Sequence, residues 1–214
     1  MKVNEYVLVT GASSKLGKLI AEILAEKNYN LLLHYYKSKN ETVALAKKLG
    51  KQYKNQNFQV MSIDLSKEYS TNTISKMLYS KVEDISGIIN NASKYENDQI
   101  SNFDKDNFKS NINIHFKNPT ALISVISKKL LNQNKQGFAI NITDKMLNRE
   151  NYFSYNVSKT LLSIWNSNNN EKTVKIIEFK PDNLMPSKNS KKTVQNFKQN
   201  FSELIEYNDG HTRR

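Results

Sequence analysis

The stretch decisive for the fold is residues 7 to 17, VLVTGASSKLG. It opens as an apolar, β-prone run, reaches Gly11, and passes into Leu16, Leu19, Ile20, Ile23 and Leu24 at helical spacing. A strand, a tight glycine turn and a helix start place backbone N–H groups and a positive dipole end beside an anion, typically a dinucleotide phosphate. Gly11 and Gly17 alone are a weak signal; the flanking strand and helix strengthen it. Lys15 stands where a second glycine is common, which puts a cation inside the turn.

Outward from this turn, apolar runs alternate with helical patterns. Strands are expected at Tyr6–Thr10, Asn30–Tyr35, Phe58–Ile63, Ile85–Asn90, Phe138–Ile142 and Val174–Phe179. Several are continuous apolar runs, as in a parallel sheet covered on both faces. Helices are expected near residues 40–53, 71–80, 105–116, 119–131 and 154–166. Pro119 suits a first helical turn. The β-α order predicts an α/β fold, a doubly wound parallel sheet flanked by helices, as one domain over residues 1–214. After Phe179, KPDNLMPSKNSKK reads as a loop and TVQNFKQNFSELIEY as a last helix, so the C-terminus looks abbreviated.

The absence of cysteine removes disulfides and thiolate catalysis, and with no apparent signal peptide a cytoplasmic location is expected. No apolar run is long enough to span a bilayer. The net charge of +12 is almost all lysine spread along the chain, with arginine only at 149, 213 and 214. No nucleic-acid motif accompanies it, so the charge reads as a solvated surface whose field favours anionic small molecules. Neither nucleic acid nor membrane is an expected partner, and no metal site is expected.

The strand ends supply the candidate cofactor contacts. Gly11, Ser13, Lys15, Leu16 and Gly17 form the turn. The second strand ends in LHYYKSKN, where an NAD site would put an acid on the ribose; here Tyr36, Lys37 and Ser38 suit a 2′-phosphate, favouring NADP(H). Asp64 and Leu65 follow the third strand, and Asp64 could accept from an adenine amine. Asn91, Ala92 and Ser93 follow the fourth, at the sheet edge where such folds bind ligands. In SYNVSK, Tyr155 and Lys159 lie four apart on a helix. A neighbouring ammonium stabilises phenolate and makes the phenol a better proton donor.

TGASSKLG, DLS, NNAS and YNVSK, in that order, resemble the short-chain dehydrogenase/reductase family from about Val7 to Pro181. The resemblance implies a Rossmann-like fold, a nicotinamide cofactor, Tyr155 as proton donor, and Lys159 binding ribose and tuning the phenol. Three positions depart from the usual pattern: Asp144 replaces the catalytic serine, His115 the helix asparagine, and Lys15 the second glycine. With LHYYKS, NNASKY and NITD, they are similar to the pteridine and dihydromonapterin reductase branch. That likeness implies an NADPH-dependent reductase of a dihydropterin or dihydrofolate-like substrate, in folate or tetrahydropterin metabolism. Tyr95 would stack the pterin over nicotinamide, Asp144 would hold Tyr155 and share proton delivery, and Lys15 would reach both cofactor phosphate and pterin. Ser93 would bond either ligand; His115 is either part of a water relay or a satisfied helix residue.

The alternatives are a carbonyl reductase acting on an oxoacyl or sugar ketone and a non-catalytic NADP-binding relative. The family's Pro-Gly after the sixth strand is here Pro181-Asp182, and YNDGHTRR faintly resembles a terminal DGG. By the resemblance, a homodimer through helices 119–131 and 154–166, or a homotetramer, is expected.

Overall fold

The computed structural model describes residues 5–145, 149–169, 171–181 and 190–212. Among these residues, six strands form one all-parallel sheet: β1 (Glu5–Val9), β2 (Asn30–Tyr35), β3 (Phe58–Ser62), β4 (Asp84–Asn90), β5 (Gly137–Ile142) and β6 (Val174–Phe179). Their order is β3-β2-β1-β4-β5-β6, a doubly wound α/β sheet. The chain reverses direction across the sheet between β1 and β4, and a crevice opens there at the strands' C-terminal ends.

Both sheet faces are covered, which is why the central strands read as unbroken apolar runs. All six residues of β5 are buried. On one face pack α1 (Lys15–Glu26), α2 (Lys39–Gln52) and α7 (Ser190–Thr212), with Ile20, Leu45 and Phe201 in one apolar cluster. On the other lie α3 (Thr71–Tyr79), α5 (Asn118–Asn132) and α6 (Phe153–Asn168), with Ile74, Ile126 and Trp165 in a second. Among the described residues, no helix is long and apolar enough to cross a membrane.

The strand boundaries fall within one residue of those the sequence predicts. The helix expected over 105–116 is instead α4 (Lys105–Ile112) followed by a π turn, Asn113–Lys117, running directly into α5. A π turn inserts an extra residue and re-aims the side chains around it; here it contains the buried His115. The last helix also begins earlier than expected. Ser190 to Lys192 hold no Gly or Pro and extend α7, which continues through Gly210, so YNDG is helical. Phe197, Phe201 and Ile205, four apart, bury against the α1 side of the sheet. Asp182, and with it the Pro181-Asp182 reading, lies among residues 182–189, outside the described residues.

Candidate active site

A cleft of about 1040 Å³ opens over the β1–β4 crevice. The turn after β1 forms its floor. Gly11 has φ +63°, and a Cβ there would lie 2.9 Å from Ala92 Cα, so both backbone angle and space demand glycine. At Gly17 a Cβ would stand 2.2 Å from the Gly11 carbonyl oxygen. The side chain of Ser14 caps α1 by accepting from Gly17 N at 2.9 Å.

Two side chains hold the turn from below. Asn91 donates from Nδ2 to the carbonyls of Thr10 (2.9 Å) and Gly11 (3.1 Å), while its own N–H donates to Thr10 Oγ1. His34 Nδ1 accepts from Gly11 N at 3.1 Å, so the ring's Nε2 carries the proton and donates to the Ile63 carbonyl at 2.9 Å. His34 is 3% exposed, and burial lowers its pKa to about 4. It joins the ends of β1, β2 and β3 as a neutral ring.

At the end of β2, Tyr36, Lys37 and Ser38 line the cleft, with the Lys37 ammonium 5.3 Å from the Tyr36 ring centroid. Asp64 is already engaged. Its Oδ1 accepts from Ser66 N at 3.1 Å and from Ser66 Oγ at 2.5 Å. Burial pushes its pKa up, but bonds from Ser66 and the Tyr36 hydroxyl hold it below the ordinary value.

At the opposite side, the Tyr155 hydroxyl donates to Asp144 Oδ2 at 3.0 Å, and Arg149 Nη2 reaches the same oxygen at 3.3 Å. Lys159, 3% exposed, donates to the Ile142 carbonyl at 2.7 Å, and burial brings its pKa down to about 8 against the opposing pull of Asp144. The lowering expected from Tyr-x-x-x-Lys is outweighed in this arrangement. Burial first, then the Asp144 charge and hydrogen bond, pushes the Tyr155 phenol well above its ordinary pKa.

Asp98 fixes the start of α6. Its carboxylate accepts from Ser154 N at 3.1 and 3.2 Å, from Ser154 Oγ, and from Asn107 Nδ2 at 3.1 Å. A carboxylate at a helix N-terminus is favourable, and this one orients the helix bearing Tyr155 and Lys159. Tyr95, half-exposed, stacks on Tyr152 (centroids 3.9 Å, 12° between planes) and meets Tyr155 edge-on at 4.9 Å. One Tyr95 face is thus taken by Tyr152, with the Arg149 guanidinium 5.7 Å from the ring centroid. His115 is buried with both nitrogens bonded: Nε2 to Ser93 Oγ (2.9 Å) and Lys94 N (3.2 Å), Nδ1 to Ser158 Oγ (2.8 Å).

Of the residues named from the sequence as cofactor or substrate contacts, all but Gly17 line this one cleft: Gly11, Ser13, Lys15 and Leu16, then Tyr36, Lys37 and Ser38, then Asp64 and Leu65. Asn91, Ala92, Ser93, Tyr95, Asp144, Tyr155 and Lys159 complete the set. Gly17 sits beneath it, where its missing side chain lets α1 approach the turn.

The short chain dehydrogenase family model matches residues 5–181. The chain belongs to the short chain dehydrogenase family. A relative is the uncharacterized oxidoreductase YmfI of Bacillus subtilis (strain 168), 30% identical over 141 residues, 66% of this chain and 56% of that protein. The match therefore spans little more than half the length of that curated relative. FolM alternative dihydrofolate reductase 1 from Brucella suis, in complex with NADP, superposes with a TM-score of 0.74 at 25% identity, covering 86% of this chain and 77% of that one. The Brucella canis FolM alternative dihydrofolate reductase 1, complexed with NADP, gives 0.75 at 24%, covering 92% and 80%; at that identity the likeness is one of fold.

In this short chain dehydrogenase, three participants escape motif reading: His34, Asp98 and Arg149. His34 lies inside LHYYKS and its partners are 23 and 29 residues away. Arg149 carried one signal, being an arginine in a chain whose other arginines are the last two residues. Asp98 carried none.

Proposed function

We propose that this chain is an NADPH-dependent reductase of dihydropterins or dihydrofolate-like substrates. The observation that carries the reading is the Asp144–Tyr155 hydrogen bond at the cleft wall, where a ketone reductase of this family would present a hydroxyl. The similarity to a FolM alternative dihydrofolate reductase 1 in complex with NADP supports it.

The turn and the end of β2 fit a dinucleotide. Gly11 and Gly17 let the turn pack tightly against Ala92 and the start of α1, that helix start faces the cleft, and Lys37 with Ser38 offers charge and a hydroxyl to a 2′-phosphate. When bound, the cofactor supplies hydride to a ring carbon of a C=N bond. Tyr155 gives its hydroxyl proton to the adjacent ring nitrogen by turning it away from Asp144, which holds the phenol at the cleft wall beforehand. Lys159 anchors the nicotinamide ribose and stabilises the phenolate left behind. Lys15 neutralises phosphate and meets a polar pterin edge. Tyr95, backed by Tyr152, closes over the flat ring.

Steady-state assays with dihydromonapterin, dihydrobiopterin and dihydrofolate test this. NADPH oxidation with at least one is expected; faster turnover of a ketone panel than of any pterin would replace the reading with a carbonyl reductase. Tight NADPH binding without turnover, unaffected by Tyr155→Phe, would replace it with a non-catalytic binder.

A further inference from the structure

We infer that His115 sets the polarity of the Ser93 hydroxyl, making it a hydrogen-bond acceptor toward the cleft, and that the group it receives is an N–H on the edge of the heterocyclic substrate. The second half rests on the dihydropterin reading; the first stands on geometry alone.

The argument begins with a donor whose role is fixed. The backbone N–H of Lys94 points at His115 Nε2 across 3.2 Å and can only donate. Nε2 therefore carries no proton. The ring is neutral, because it is 1% exposed and its pKa lies well below the ordinary value, through burial first and the Lys159 charge second. Its proton is then on Nδ1, which donates to Ser158 Oγ at 2.8 Å. Ser158 passes the polarity on by donating to the Tyr155 carbonyl at 3.0 Å. This bond ends on backbone, so the chain leads away from the Tyr155 phenol rather than toward it. His115 is thus a positioning residue and not a proton relay.

The consequence falls on the other partner of Nε2. Ser93 Oγ lies 2.9 Å from a nitrogen that can only accept, nearer than the Lys94 N–H that shares its one lone pair, so the serine proton turns there. Ser93 is exposed and lines the cleft, and what its oxygen has left to offer is lone pairs. A phosphate oxygen or a ketone oxygen brings no proton and would face acceptor with acceptor. A ring N–H or exocyclic amine, as on an aminopyrimidinone, completes the bond. The loop bearing Ser93 and Tyr95 is tied to α6 through this same imidazole, so the acceptor is held beside Tyr155.

Two measurements on the full chain test this. Two-bond ¹H–¹⁵N correlation of the histidine rings reads the tautomer, with the His115 signals assigned by their loss in His115→Gln and with His34 as an internal reference of opposite tautomer. An Nδ1–H ring at His115 is expected; an Nε2–H ring overturns the inference whether or not any pterin is turned over. Kinetics with NADPH and dihydromonapterin supply the second. Ser93→Ala and His115→Leu should raise KM for the pterin about tenfold, with a much smaller change in kcat. His115→Gln, whose amide oxygen can accept from both Lys94 and Ser93, should recover most of that loss. NADPH affinity, followed by its fluorescence, should stay within about twofold of the unaltered protein, below the cost of a lost hydrogen bond. A tenfold loss of NADPH affinity in Ser93→Ala with an unchanged pterin KM would make Ser93 a donor to cofactor phosphate and overturn the assignment. Absence of pterin turnover in the unaltered chain would sink the proposed function and the pterin half of this inference, leaving the tautomer to decide the rest.

Discussion

The Tyr155 phenol and the Asp144 carboxylate share a hydrogen bond of 3.0 Å although one sits on α6 and the other just after β5. The carboxylate is itself held by Arg149 at 3.3 Å. The acid therefore orients the phenol while opposing its ionisation, since negative charge beside a phenol disfavours phenolate. Tyr155→Phe is expected to lower kcat by about 10²–10⁴ with NADPH still bound. In Asp144→Asn the charge is gone, so Tyr155 should ionise at lower pH than in the unaltered protein. Phenolate absorbance titration, with Tyr155→Phe as the blank, reads this; an unmoved or raised midpoint refutes the charge argument.

The proposed function puts cofactor choice at the end of β2, where Lys37 lines the cleft. Lys37→Glu should weaken NADPH by about tenfold or more and leave NADH nearly untouched. The ratio of kcat/KM for the two cofactors is the measurement, and an unchanged ratio would reduce Lys37 to surface charge.

The turn floor is the least tolerant place in the cleft. Gly11→Ala forces a Cβ onto a φ of +63° and to 2.9 Å from Ala92 Cα. A loss of about 1–3 kcal/mol in folding stability is expected, together with weaker NADPH binding. Denaturant midpoints and cofactor titration check the two separately. A Gly11→Ala protein as stable and as tight-binding as the parent would mean the turn relaxes freely.

His34 makes stability depend on pH. Its folded pKa, about 4, lies below its ordinary value of 6.5. The unfolded chain therefore binds more protons between these values, and the stability from keeping His34 neutral is full above pH 6.5 and lost as pH falls toward 4. The swing is on the order of 3 kcal/mol. Thermal unfolding followed from pH 7 to 4 should show a shallower fall for His34→Gln than for the parent; parallel curves would remove His34 as the cause.

The sequence by itself determined the sheet, most helices and the cleft's membership, because each of these is written locally. Buried parallel strands announce themselves as apolar runs, amphipathic helices as 3.6-residue spacing, and Gly11 and Gly17 stand where strand gives way to helix. Strand C-terminal ends converge on one edge in any such sheet, which is why residues picked one by one line a single cavity. What only the tertiary structure decided is who bonds to whom among polar side chains. His34 under the turn, Asp98 on the start of α6, Arg149 on Asp144 and the π turn aiming His115 at Ser93 all depend on partners brought near by folding. Proton positions and pKa shifts follow from burial and from those partners, so the direction of the Tyr155 shift could not be read from a Tyr and a Lys four residues apart.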